Sequence, residues 1–154
     1  MKTRIFLAAM CAALVLAGCG RVPKAERDAA LDVVRRNVTA MQAKKIDEMV
    51  ATIHPQSPAF EKTRTTMSDL VRDFDLKCEL TALDVVRARP DEIAVRFVQT
   101  TEKSNAAGAH EKTRVTGVHV LKKDGGQWKI FGSDVMDAEL LDAPAVLDEE
   151  ESAK

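Results

Sequence analysis

The chain has 154 residues, 45% hydrophobic and 31% charged, with 23 basic against 24 acidic side chains. That length fits one domain, and the near-neutral balance excludes a broad nucleic-acid-binding surface, which shows a basic excess. Three cysteines are too few for a disulfide scaffold or a four-cysteine zinc site.

The N-terminus reads as an address. Met1-Lys2-Thr3-Arg4 precedes an apolar run from Ile5 to Ala17, a charged segment before a stretch too short to span a bilayer. The run closes on Leu16-Ala17-Gly18-Cys19, small residues ahead of a thiol. This resembles the lipobox of bacterial lipoproteins. The resemblance implies that residues 1–18 are a signal peptide and that Cys19 carries diacylglycerol and palmitate. Acyl chains hold a membrane at about 0.8 kcal/mol per buried CH₂, so two or three anchor the chain without a transmembrane helix. Gly20 in place of Asp implies the periplasmic face of the outer membrane. Cleavage would leave 136 residues and move the formal charge from −1 to −3, since Lys2 and Arg4 are lost. Cys11 leaves with the signal, Cys19 is alkylated, and Cys78 has no partner for a disulfide.

Residues 19–24 then form a lipidated tether, with Pro23 suited to a helix entry. Over 25–42 the apolar residues Ala30, Leu31, Val34, Val38 and Met41 recur at helical steps, opposite Asp28, Asp32, Arg35 and Arg36. A shorter helix follows, with Ile46, Met49, Val50 and Ile53 on one face, stopped by His54-Pro55. Ser57-Pro58 reads as cap and first position of a third helix reaching Phe74, its stripe formed by Phe60, Met67, Leu70, Val71 and Phe74.

Beyond Phe74 the period changes to two. Leu76, Cys78 and Leu80 alternate with charged and polar neighbours, and the slip through Leu83, Val85 and Val86 predicts a bulge. After the turn Arg89–Glu92, Ile93, Val95 and Phe97 mark a second strand. A third covers about 112–123 beyond a polar loop, and Asp124-Gly125-Gly126-Gln127 predicts a tight hairpin into a fourth with Trp128, Ile130 and Phe131. The domain so defined is 25–141. Residues 142–154, with the acidic run Asp148–Glu151, hold too little apolar surface to order themselves.

Helices first and an antiparallel meander after them specify an α+β domain, three helices on a curved four-stranded sheet. With Gly125-Gly126-Gln127-Trp128-Lys129-Ile130 closing it, the pattern resembles the nuclear-transport-factor-2-like superfamily, a neighbour of the cystatin-like folds. The resemblance implies a cone with a pocket at its open end. Many members insert a small strand pair between the second and third helices; only Pro55-Gln56-Ser57 stands there.

The candidate chemistry is sparse. The ketosteroid-isomerase type of this superfamily uses a carboxylate base and a Tyr donor, and the chain has no Tyr. Asp69 or Asp73 as base with His119 as donor would be the substitute set. His119 shares a strand face with Val115, Gly117 and Leu121, whereas His54 and His110 read as surface residues. The scattered His and Cys have no metal-ligand spacing, so no metal or other cofactor is expected. Phe97, His119, Trp128, Phe131 and Cys78 are the expected pocket or core lining, with Cys78 a small buried hydrophobe. The leading expectation is a non-catalytic, membrane-anchored domain that binds a small apolar ligand or an envelope protein. An isomerase- or hydratase-like enzyme and an envelope protein that homodimerises through its sheet are the alternatives.

Overall fold

A computed structural model describes residues 21–142. The signal segment with Cys11 and Cys19, and the acidic run Asp148–Glu151, lie outside the described residues. Three helices, α1 (Lys24–Gln42), α2 (Ile46–Ala51) and α3 (Phe60–Asp73), precede four strands, β1 (Asp75–Ala88), β2 (Glu92–Ser104), β3 (His110–Asp124) and β4 (Gln127–Leu140). The strands pair antiparallel in sequence order, as the change of period predicts.

Helix α1 buries Ala30, Val33, Val34, Val38 and Ala40, a stripe at three- and four-residue steps that lies against the inner sheet face. Val22, within the expected tether, is 7% exposed and belongs to the main core with Val33, Val34, Ile93, Val95, Leu121, Trp128 and Ile130. A second cluster, Ala40, Met49 and Ile53, receives Phe60 and Met67 from α3. That helix starts later than the sequence suggests. Ser57 is buried, and its hydroxyl accepts from the Ala59 amide at 3.3 Å. Its carbonyl accepts from Phe60 at 3.0 Å. Ser57 therefore closes a turn ahead of α3 instead of capping it.

Both sheet edges are partly covered. On β1 the Cys78 amide donates to the Gln42 side chain at 2.8 Å. On β4 the Ile130 amide donates to Thr52 O at 2.9 Å, and the His54 amide donates to Ile130 O at 2.8 Å. The α2–α3 linker thus adds a one-residue parallel bridge, Ile53 with Ile130.

Local irregularities set which side chains face inward. The expected slip in β1 is present as register shifts at Leu80/Ala82 and Val85/Arg87. Another lies between β3 and β4, where Leu121 pairs with Ile130 but Val120 pairs with Gly132. The hairpin at Gly125 and Gly126 has φ of 55° and 82°, the left-handed pair that a two-residue turn matching strand twist requires.

Leu121, fully buried between sheet and helices, should show what the core contributes. Leu121→Ala is expected to lower unfolding stability by about 2–5 kcal/mol in urea titrations, whereas Val86→Ala, 51% exposed on β1, should change it by less than about 0.5 kcal/mol.

Candidate functional site

Midway along the sheet the helices stand off the strands and leave a cavity of about 400 Å³, within the range of small-molecule sites. The second half of α1 supplies Asn37 and Met41; α2 and its exit supply Met49 and Ile53. Helix α3 contributes Lys62, Thr63, Thr66 and Met67, and the sheet contributes His119, Ile130 and Ser133. Thioethers and aliphatic groups make up most of the wall. No Asp or Glu lines it.

A larger hollow, about 600 Å³, lies between the start of α1 and β1. Arg21, Lys24, Arg27, Asp28 and Asp84 border it, so it would keep a ligand among solvated charges. The smaller, apolar cavity is the candidate site.

His119 is its most consequential polar group. Phe97 stacks on the imidazole, with centroids 4.2 Å apart and planes 13° off parallel. Gly117 makes this possible: a Cβ there would stand 2.8 Å from the Phe97 ring and 2.6 Å from Asp134 O. On the other side His119 Nδ1 and Ser133 Oγ share a hydrogen bond of 2.6 Å. Burial disfavours the imidazolium and lowers the His119 pKa to about 4. The ring is neutral at physiological pH, able to donate and accept one hydrogen bond but a weak base. The second polar feature is a relay at the α1–α2 contact. Asn37 Nδ2 donates to Thr52 Oγ1 at 2.7 Å, and Thr52 Oγ1 donates to Met49 O at 2.6 Å.

The residues singled out from sequence do not converge. His119 reaches the cavity and Phe97 lies buried behind it. Asp69 and Asp73 do not: both are exposed on α3 and bonded at 2.8 Å to Arg72, which holds the Asp73 carboxyl below its ordinary pKa. A His119–carboxylate pair with either one is not assembled. Trp128 is buried at the other end of the core, where Nε1 donates to Glu26 at 2.6 Å. Phe131 is turned to the sheet edge, between His54 at 5.4 Å and Lys122 at 4.0 Å. Cys78 is half-buried on the inner face, its thiol pKa raised by burial.

His110 is exposed as expected, close to Glu102 and Asp142. His54 is not the surface residue that its loop position suggests. It is 6% exposed, because the linker carrying it adds to β4, and its Nδ1 accepts from the Gln56 amide at 3.1 Å. Among the described residues no cluster of His, Cys, Asp or Glu could hold a metal, and no helix is long and apolar enough to cross a membrane. Sequence reasoning missed Ser133, Asn37 and the three methionines. The methionines were legible as helical stripes; Ser133 was hidden by the β4 bulge.

A family model described as the C-terminal domain of the anti-sigma-I factor RsgI9 matches residues 32–141. No curated protein sequence matches the chain. A protein of unknown function with a cystatin-like fold from Nostoc punctiforme is similar in structure, with TM-score 0.63 at 11% identity, covering 83% of this chain and 100% of that one. A proposed dehydratase of the nuclear-transport-factor-2-like family from Streptomyces avermitilis has TM-score 0.62 at 11% identity, covering 73% and 97%. A ketosteroid isomerase-like protein from Erwinia carotovora atroseptica has TM-score 0.59 at 16% identity, covering 77% and 98%. At such identities the fold is shared and the chemistry is not implied.

Two measurements test the site. Unfolded, the His119 ring titrates near its ordinary 6.5; folded, at about 4. Between those values the unfolded chain binds a proton that the native one refuses, so stability falls as pH drops from about 6.5 to about 4. Over that interval the wild type should lose about 2–3 kcal/mol more than His119→Phe in urea unfolding. Gly117→Ala should cost about 1–3 kcal/mol, because Phe97 and the Asp134 carbonyl must both move, and should raise the His119 pKa read from imidazole NMR shifts.

Proposed function

The chain belongs to the family of the RsgI9 C-terminal domain, and from that premise we propose that it is a lipid-anchored envelope protein whose domain binds a small, largely apolar ligand without turning it over. The observation that carries the binding role is the lining of the 400 Å³ cavity: Met41, Met49, Ile53, Met67 and Ile130 around a neutral His119, with no carboxylate. Flexible thioethers adapt to irregular apolar ligands, and one neutral imidazole with one hydroxyl can orient a carbonyl or hydroxyl group. A general base works best with a pKa near the operating pH, and His119 lies well below it. The family takes its name from an anti-sigma factor and not from an enzyme, which agrees with a binding role.

The anchor rests on Leu16-Ala17-Gly18-Cys19 behind a short apolar run. Acylation of Cys19 would hold the domain at the membrane, and Gly20 at the next position favours the periplasmic face of the outer membrane. Those features are independent of the cavity and are tested separately.

A second reading takes its support from the 2.6 Å contact between His119 and Ser133, the spacing of a serine nucleophile and its base. The low basicity of His119 weighs against it. Ser133→Ala would abolish labelling by a fluorophosphonate if that reading held; no labelling of the wild type is the expected result.

The uncharged fluorophore N-phenyl-1-naphthylamine should bind the purified protein. Met67→Trp, which fills the cavity from α3, should weaken that binding at least about tenfold, or about 1.4 kcal/mol, while leaving the melting temperature within a few degrees. Equal binding by both forms would place the probe elsewhere. In cells, Cys19→Ala should leave a precursor that is neither cleaved nor acylated, read by intact-mass spectrometry; normal maturation of that variant would remove the anchor from the proposal.

A further inference from the structure

We propose that the domain stands against the membrane in one orientation, with the N-terminal end of α1 and the β1–β2 turn on anionic headgroups and the cavity held clear of them. This rests on acylation of Cys19. Its structural basis is how early the fold grips the chain. Val22 is 7% exposed and packed with Val33, Val34 and Trp128, and α1 starts at Lys24, where the Arg27 amide donates to Pro23 O at 3.2 Å. Only three Cα–Cα steps separate Cys19 from Val22, a reach of at most about 11 Å. A long flexible linker would let the domain tumble; a leash this short does not.

The end so held also has the charge for the task. Pro90 of the β1–β2 turn borders the same hollow as Arg21, Val22, Lys123 and Trp128. Most charges here are neutralised within the protein: Lys24 by Asp28, Lys123 by Glu26, Arg87 by Glu92 and Lys129 by Asp124. Among the described residues Arg21, Arg27, Arg89 and Lys122 have no carboxylate partner, against one unpaired acid in this region, Asp91. Cations so close to a bilayer are attracted by anionic lipids such as phosphatidylglycerol. The cavity lies further along the same helix. Asn37 and Met41 are 13 and 17 positions beyond Lys24, roughly 20–26 Å at the helical rise, outside the screening length of the surface charge.

The test uses the mature acylated chain in phosphatidylcholine vesicles containing phosphatidylglycerol and a headgroup-nitroxide lipid. A fluorophore is placed at Arg89→Cys or at Thr66→Cys on α3, each in a Cys78→Ser background so that one thiol reacts. Quenching at position 89 should exceed that at 66 several-fold, and a long Gly/Ser insertion between Gly20 and Arg21 should erase the difference. Equal quenching at both positions of the uninserted chain, or stronger quenching at 66, overturns the orientation. A difference that survives the insertion overturns the short leash as its cause. A mature chain whose mass lacks acyl groups overturns the anchor, and the orientation with it, while leaving ligand binding in the cavity untouched.

Discussion

The seat of Phe97 on Gly117 is the contact from which the character of the cavity follows. The two residues are direct partners across β2 and β3, and only a residue without a Cβ lets the ring lie over the backbone there. Lying over it, Phe97 covers one face of His119 and removes water from that side. An imidazolium in that position would lose hydration and meet no carboxylate in return, so the ring stays neutral. The hollow therefore holds no carboxylate, and its imidazole is uncharged among thioethers, aliphatic groups and the polar side chains of Asn37, Lys62, Thr63, Thr66 and Ser133.

The bulge in β4 supplies the partner of that group. Counting alternate residues from Trp128 and Ile130 would place Gly132 and Asp134 inside. The register shift between Leu121 and Val120 places Ser133 opposite His119 instead, while Phe131 stays at the sheet edge. A carboxylate is thereby kept out of the cavity and a hydroxyl placed in it. The same edge receives Thr52, Ile53 and His54, so the short α2–α3 linker covers part of β4. Helix α3 is then left to close the cavity with Thr63, Thr66 and Met67.

What could be read from the sequence was what periodicity controls. The α1 stripe, the change to period two after Phe74, the β1 slip and the Gly125-Gly126 turn all express local sterics, and each is present in the fold. What could not be read depends on contacts distant in sequence. His54 before Pro55 signals the end of a helix, but nothing local says that its backbone will bond to Ile130. Ser133 reaches the cavity only because of a bulge between β3 and β4, which no local pattern announces. The misassigned acids are a different case. Asp69 stands three residues before Arg72, a spacing at which ion pairs form on a helix surface, and Asp73 follows Arg72 directly at the end of α3. That neighbour was visible, and it argues for a solvated face.

The same geometry keeps the carboxylates of α3 away from the cavity wall. Isomerase-type chemistry on such a fold needs a carboxylate inside the cavity, close enough to a neutral donor to share a substrate between them. The donor is present in His119. The place for the carboxylate on α3 is the inward stripe, and Met67 occupies it. An acid there would be desolvated by Met41, Met49 and Ile53 and would find no cation deeper in the wall than Lys62 at its edge; its pKa would rise and the second core cluster would lose the packing that fixes α3. A thioether at that point instead packs α3 against the second core cluster. The acids of α3 are consequently on the outer face, paired with Arg72.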